Sequence, residues 1–268
     1  MAGSSNTTNT WLGVTSVIFA ITSAVLIYLY SNGEDEDKGY LGGLVFNSSN
    51  TFAWHPFLMT LGMIMFSIIA LESYSILPLT HFMQKIVHSV AHTCALICFA
   101  MGLYCVVYAH NSGPYANLYS MHSWLGLAAA VVYAKQYLLG FFFFLSGTQS
   151  NELRRAYLPS HLSIGLFALC LSLGAALAGI TEMDACSYEV ESPDTNPASH
   201  FQNDMNAACK ILQGAGICMI VSVLLAFYTL IPAKHKVDSS DKESEDVKSN
   251  LISPTTLGIE SPILASRS

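Results

Sequence analysis

Residues 121–145 read MHSWLGLAAAVVYAKQYLLGFFFFL, twenty-five residues with one charge, Lys135. About 20 apolar residues at 1.5 Å each cross the roughly 30 Å of hydrocarbon in a bilayer. This stretch is long enough to span, and it opens on a histidine, His122. Five more stretches have the same character: Trp11–Tyr30, Trp54–Leu71, Ile86–Ala109, Leu158–Ile180 and Cys209–Ile231. Lipid offers the backbone no hydrogen-bond partners, so each is expected to be helical, and the absence of period-2 alternation argues against a barrel. The fold class expected is therefore all-α, with six transmembrane helices between a short N-terminus (1–10) and a tail (232–268). From about Val237 the tail is rich in Ser, Asp, Glu, Lys and Pro, and its composition reads as disordered.

The whole chain agrees. Of 268 residues, 52% are hydrophobic and 11% charged, against about 25% charged in soluble domains. A water-soluble enzyme of ordinary type is excluded. So is a secreted disulfide scaffold, because most of the seven cysteines lie inside apolar runs. A net charge of −7 argues against nucleic acid as a partner. Met1–Thr10 carries no Lys or Arg, which disfavours a cleaved signal peptide, and Ala2 does not fit N-myristoylation.

The connecting segments set the orientation. Segment 31–53 holds Glu34, Asp35, Glu36 and Asp37 against Lys38, and segment 181–208 holds six acids with no Lys or Arg. The opposite face has Lys85, Arg154 and Arg155, with Lys234 and Lys236 after the last span. Cytoplasmic loops carry the Lys/Arg excess. Both termini are thus expected in the cytosol, and the acidic loops in a lumen or outside. The glycosylation sequon Asn47-Ser48-Ser49 lies on the expected outer face.

Four of the nine histidines follow this topology. His55 and His122 open the second and fourth spans at the outer face. His88 and His161 lie near the starts of the third and fifth at the inner face. Ionisable residues inside spans are costly and usually face a bundle interior. One interfacial histidine is an ordinary polar anchor, but four, paired by side and by depth on consecutive helices, suit two planar macrocycles, each held by two imidazoles. The two irons would lie ~20 Å apart, a layout for moving electrons across the bilayer. A His-lined metal-ion carrier is the competing reading, since imidazole also binds zinc; carriers, however, gather their ligands at one midplane site. A structural multispan protein without redox function is the other alternative.

The motifs around these histidines resemble the cytochrome b561 family. They are Trp54-His55-Pro56 with Met59 and Gly62, Lys85-Ile86-Val87-His88, Ala116 to Gly126 around His122, Leu153-Arg154, and Pro159-Ser160-His161. The resemblance runs from about Gly39 to Ile231. It implies a four-helix core, spans two to five, holding two haem b groups on His55, His122, His88 and His161. It also implies an ascorbate-dependent transmembrane reductase that passes electrons from cytosolic ascorbate to monodehydroascorbate or ferric iron. The expected home is a secretory-vesicle, endolysosomal or plasma membrane; assembly as a homodimer is left open. His92, four residues beyond His88, is expected to hydrogen-bond near the macrocycle or to pack in the core.

By the same resemblance, Lys85 and Arg154 are expected to bind the ascorbate anion. His81 stands where the family often has another lysine, and Ser75 where it often has arginine. His110, Asn111 and Tyr119 are expected near the outer acceptor. Glu72 and Lys135 are intramembrane charges that either pair or snorkel separately. Cys186 and Cys209, the cysteines near the outer face, are candidates for a disulfide.

A histidine at position 81 has a testable consequence. Imidazole loses its charge near neutral pH and lysine does not. Ascorbate-driven haem reduction should therefore weaken as pH rises between about 5.5 and 8, and H81K should flatten that profile. Identical profiles would reduce His81 to a loop residue.

Overall fold

The computed structural model describes residues 2–34, 40–46, 50–183 and 207–252, the side chains from 8 to 230 within those ranges. Its regular elements are helical throughout. Among the described residues six helices are long and apolar enough to cross a membrane: α1 over Thr8–Asn32, α2 Thr51–Ile76, α3 His81–Ser112, α4 Met121–Leu145, α5 Asn151–Thr181 and α6 Ala207–Leu230. The helix containing α1 begins already at Ala2. Residues 1–229 form one compact unit. In the second, 230–268, the backbone is helical as far as Ile252. Composition alone pointed to disorder there, yet Lys236, Lys242, Glu243, Glu245 and Lys248 are good helix formers.

Side-chain caps fix where three helices begin. Thr80 Oγ1 accepts from the Met83 amide, Ser120 Oγ from Ser123, and Ser150 Oγ from Leu153. A hydroxyl at this position takes up one of the four amides a helix start leaves unpaired. These caps alter one expectation. α3 and α5 start at His81 and Asn151, ahead of their apolar runs, so His88 and His161 lie well inside their helices. His122 does sit in the first turn of α4, and His55 follows the 3-10 turn Thr51–Ala53 that opens α2.

Helices α2 and α3 form one antiparallel hairpin, α4 and α5 another. Met63, Ala95, Ala129, Tyr133 and Ala168 meet at the centre of these four. The hairpin α2–α3 is drawn tight by small residues. A Cβ on Gly62 would come within 2.8 Å of the Ala95 carbonyl oxygen, and one on Gly102 within 3.2 Å of Leu58 Cβ. Close approach at glycine is the usual way transmembrane helices gain packing contact when lipid provides no hydrophobic drive. Around Thr60–Phe66 the α2 backbone widens to i→i+5 turns, a local change common at functional sites.

Helices α1 and α6 pack together against α2 and α5. Ile27 and Tyr30 of α1 meet Ile64 of α2 and Leu212, Ala215 and Met219 of α6, while Ala20, Ile68, Leu169, Val223 and Ala226 form a second cluster. Two buried serines bridge α1 and α6 reciprocally: Ser16 Oγ donates to the Ser222 carbonyl, and Ser222 Oγ to the Ser16 carbonyl, both at 2.9 Å.

Glu72 does not pair with Lys135. Its carboxylate is fully buried and accepts from Thr229 Oγ1 of α6 at 2.8 Å, whereas Lys135 lies on the exposed side of α4. The two residues are on different faces of the bundle, so depth alone did not bring them together. Cys209 is disulfide-bonded; Cys186, its expected partner, lies outside the described residues, as do the sequon Asn47–Ser49 and most of the acidic loop after α5.

Interhelical hydrogen bonds between membrane helices average about 0.6 kcal/mol, up to about 1.7. Ser16→Ala and Ser222→Ala should each destabilise the fold by an amount in that range, and a double-mutant cycle should return little coupling, since each hydroxyl donates to the other residue's backbone and not to its side chain. Unfolding in detergent or bicelles measures it.

Candidate haem centres

The structure brings the four histidines into the two pairs expected. The His55 and His122 ring centres lie 5.9 Å apart, and those of His88 and His161 6.4 Å apart. Each pair joins one helix of the first hairpin to one of the second.

The second ring nitrogen of each histidine is also held. His55 Nδ1 lies 3.0 Å from the Gly102 carbonyl, His88 Nδ1 2.9 Å from that of Ala70, and His122 Nδ1 2.7 Å from that of Ala175. A carbonyl can only accept, so in these three rings Nδ1 carries the proton and Nε2 keeps a lone pair. His161 Nδ1 meets the side-chain amide of Gln136 at 2.8 Å. Every one of these partners comes from the other helix of the same hairpin.

This donor set fits a bis-imidazole metallocycle. Two metal–nitrogen bonds of about 2 Å, with about 1 Å more from each nitrogen to its ring centre, give about 6 Å between ring centres. Glycines clear the sides of two rings: a Cβ on Gly179 would sit 2.9 Å from His122 Cε1, and one on Gly140 3.0 Å from His161 Cε1. Buried donors without partners lie close in sequence to the ligands, namely Trp54 Nε1 beside His55, and Arg154 Nε and Tyr157 Oη within two turns of His161. Haem propionates are acceptors that such donors suit.

His92 lies beside His88, ring centres 4.5 Å apart, but its Nδ1 faces Tyr133 Oη at 2.6 Å. Tyr133 Oη is 3.3 Å from Ser67 Oγ, which is also 3.3 Å from the Gly62 carbonyl. One turn on, Thr93 donates to the Ser89 carbonyl and so accepts from Tyr137 Oη, both at 2.8 Å. Tyr133 belongs to the cluster at the centre of the bundle, and Tyr137 follows it by one turn, at the level of Gln136 and His161. Tyr133, Gln136 and Tyr137 escape a search for charged residues, although their polar atoms at i, i+3 and i+4 in an apolar span are a legible signal.

The remaining site residues fall at the two ends. Beside His88, the Tyr74 ring lies 5.3 Å from His88 and 5.9 Å from His81, linking the two. Lys85 and Arg154 are half-buried. The Tyr157 ring stacks on Phe143 at 4.2 Å, and Phe144 packs edge-on against His161 at 5.0 Å. At the opposite end His110 is half-buried 5.9 Å from Tyr115, and Asn111 accepts from Asn117 at 2.9 Å. Leu118 turns the chain there with φ 58°, a left-handed conformation rare outside glycine. It leaves Tyr119 exposed at 66% and leads into Ser120, the cap of α4. Among the described residues no group of three or more His, Cys, Asp or Glu side chains could hold a bare metal ion.

The family model described as eukaryotic cytochrome b561 matches residues 54–187. A probable ascorbate-specific transmembrane electron transporter of Oryza sativa is 35% identical over 182 residues, 66% of this chain and 77% of the relative. The chain belongs to the eukaryotic cytochrome b561 family. Other members include a transmembrane ascorbate ferrireductase of Arabidopsis thaliana, 31% identical over 206 residues (76% of this chain, 83% of the relative). A plasma membrane ascorbate-dependent reductase of Xenopus laevis is 32% identical over 215 residues (78% and 74%). The matched segment of this cytochrome b561 contains all four paired histidines.

Gly179 offers a direct test of the cradle. Gly179→Ala should displace His122 and lower haem content, because a methyl at 2.9 Å cannot be accommodated without a shift. Gly174→Ala, whose Cβ would meet Leu125 at 3.8 Å, should bind haem like the parent. Pyridine haemochrome assay of the purified proteins compares them.

Proposed function

We propose that this cytochrome b561 is an ascorbate-dependent transmembrane reductase that carries electrons from cytosolic ascorbate to an acceptor on the other side of the membrane. The observation that carries the reading is the double pairing of His55 with His122 and of His88 with His161, near opposite ends of one four-helix core. Two haem b groups would be held, the outer by His55 and His122 and the inner by His88 and His161. Bound there, each supplies an iron(III)/iron(II) couple for one electron. The Nδ1 contacts orient the imidazoles and strengthen Nε2 as a ligand.

At the cytosolic end Lys85 and Arg154 place positive charge where the ascorbate monoanion must dock. The relatives named ascorbate-dependent support this substrate. Ascorbate gives up one electron and one proton on oxidation to the monodehydroascorbate radical, and the half-buried rings of Phe143, Phe144 and Tyr157, with the exposed ring of Tyr74, pack around the adjoining ligands. At the outer end His110, Asn111 and Tyr119 would receive the acceptor, monodehydroascorbate or ferric iron. A ferrireductase among the relatives is consistent with the second. The proposed orientation has both termini in the cytosol, and the membrane is that of a secretory vesicle, an endolysosome or the cell surface.

Side-specific loss of haem tests the assignment. His55→Ala or His122→Ala should remove the outer haem, and His88→Ala or His161→Ala the inner one, each leaving a single redox transition. His92→Ala should keep both. Loss of a haem in His92→Ala with retention in His88→Ala would overturn the ligand set. In vesicles loaded with ascorbate, Lys85→Ala and Arg154→Ala should each raise KM roughly tenfold or more, the value of one charge-assisted hydrogen bond.

A further inference from the structure

The four hydrogen bonds that hold the paired histidines follow one rule with one departure. The partner of each ring lies fourteen or fifteen residues after the paired histidine on its own helix: Ala70 after His55, Gly102 after His88, Gln136 after His122 and Ala175 after His161. Fourteen residues of helix rise ~21 Å, the separation expected between the two levels. In an antiparallel hairpin, that places each such position against the histidine of the neighbouring helix. At three of the four the acceptor is the backbone carbonyl. At the fourth no carbonyl meets the ring: the contact is the side-chain amide of Gln136, whose Nε2 lies 2.8 Å from His161 Nδ1.

We propose that Gln136 is the positioning residue for His161, and that its amide sets the electron donation of this ligand, and hence the potential of the inner haem, independently of the outer one. This rests on the ligand assignment above. A backbone carbonyl leaves no choice: Nδ1 is protonated and Nε2 is free to ligate. An amide has a donor end and an acceptor end. In this structure the nitrogen faces Nδ1; only the oxygen, turned to Nδ1, keeps His161 in the ligating tautomer, so binding of the haem would require the amide to turn.

The surroundings are shaped for this side chain. Gln136 is 9% exposed in the middle of an apolar span. Its Nε2 lies against His161 Nδ1 and donates to the His161 carbonyl, and its Oε1 is buried with no partner. A Cβ on Gly165 would lie 3.5 Å from the amide, and Gly140 opens the space beside the ring, so both helices of the hairpin carry glycine where the pair sits. The two contacts of the near end make opposite demands. The amine end suits the carbonyl and the oxygen end suits the Nδ1–H of a ligand, so His161 is held by a balance that the other three ligands do not face. An acceptor on Nδ1–H makes Nε2 a better donor and favours iron(III) over iron(II). Changing the acceptor at position 136 should therefore move one of the two couples.

The experiment is a redox titration of the purified two-haem protein, followed optically and by low-spin EPR, for the parent, Gln136→Met and Gln136→Glu. Met keeps the length and removes the acceptor; the inner midpoint should rise. Glu keeps an acceptor oxygen and adds charge; the inner midpoint should fall. The outer midpoint and its EPR signal should stay put in both. Retention of both haems with unmoved midpoints in either variant overturns the proposal, as do equal shifts of both couples, which a packing role would produce. If Gln136→Met does not fold or loses the inner haem, Gln136→Glu alone decides by the same criteria. His161→Ala run beside them separates the two levels of inference: retention of both haems there defeats the ligand assignment itself, whereas loss of one haem with silent Gln136 variants defeats only the role of Gln136.

Discussion

An imidazole inside a bilayer must have its N–H taken up by the protein, because hydrocarbon offers no acceptor and an unpaired polar group there costs several kcal/mol. Helical backbone has a remedy: carbonyls with a second lone pair. In this protein the Gly102, Ala70 and Ala175 carbonyls serve three of the four paired rings. Much else follows from that arrangement. The acceptor must come from a neighbouring helix within reach of the ring, so the hairpins must pack closely, and glycine or alanine lines the contact. Once Nδ1–H is committed across the hairpin, Nε2 keeps its lone pair, and the ring centre of the partner histidine on the other hairpin lies 5.9 or 6.4 Å away. The same bonds that satisfy the polar atoms define what the atoms can bind.

The bundle divides its labour accordingly. Helices α2 to α5 carry the paired histidines and the central polar contacts of His92, Tyr133, Ser67, Thr93 and Tyr137. Helices α1 and α6 carry none of them. They seal the α2 and α5 side with two apolar clusters and the reciprocal Ser16–Ser222 bridge, and they bury Glu72, whose carboxylate is answered by Thr229. The centre between the histidine levels is thus screened from lipid headgroups and water on that side.

The two ends are built differently. At the His88 level, aromatic rings of Tyr74, Tyr157 and Phe144 close around the ligands, and half-buried Lys85 and Arg154 carry the charge. At the His55 level, the loop from Gly113 to Ser120 is exposed, bent by the left-handed Leu118 and tied down through Asn111 and Asn117. One end is thus half-buried and cationic, and the other is an exposed loop that presents Tyr115, Leu118 and Tyr119.

Six spans, their order and the depth pairing of four histidines were all legible in the sequence. Apolar run length and the position of a histidine along a run are one-dimensional quantities, and the bilayer converts them directly into height. What needed tertiary structure was everything that depends on rotation about the helix axes. Depth made Glu72 and Lys135 neighbours on paper; their azimuths put one against Thr229 and the other on the exposed face. Lys85, His88 and His92 could be ranked by depth and motif, but only the three-dimensional packing shows His88 on the Ala70 carbonyl and His92 on the Tyr133 hydroxyl. Helix starts shifted because hydroxyl caps at Thr80 and Ser150, not the ends of apolar runs, decide where a helix begins. The fourteen-residue relation between each histidine and the acceptor for its neighbour, with Gln136 as its exception, could not be read from the chain alone, because backbone carbonyls leave no mark in a sequence and their role appears only when two antiparallel helices set them against a ring.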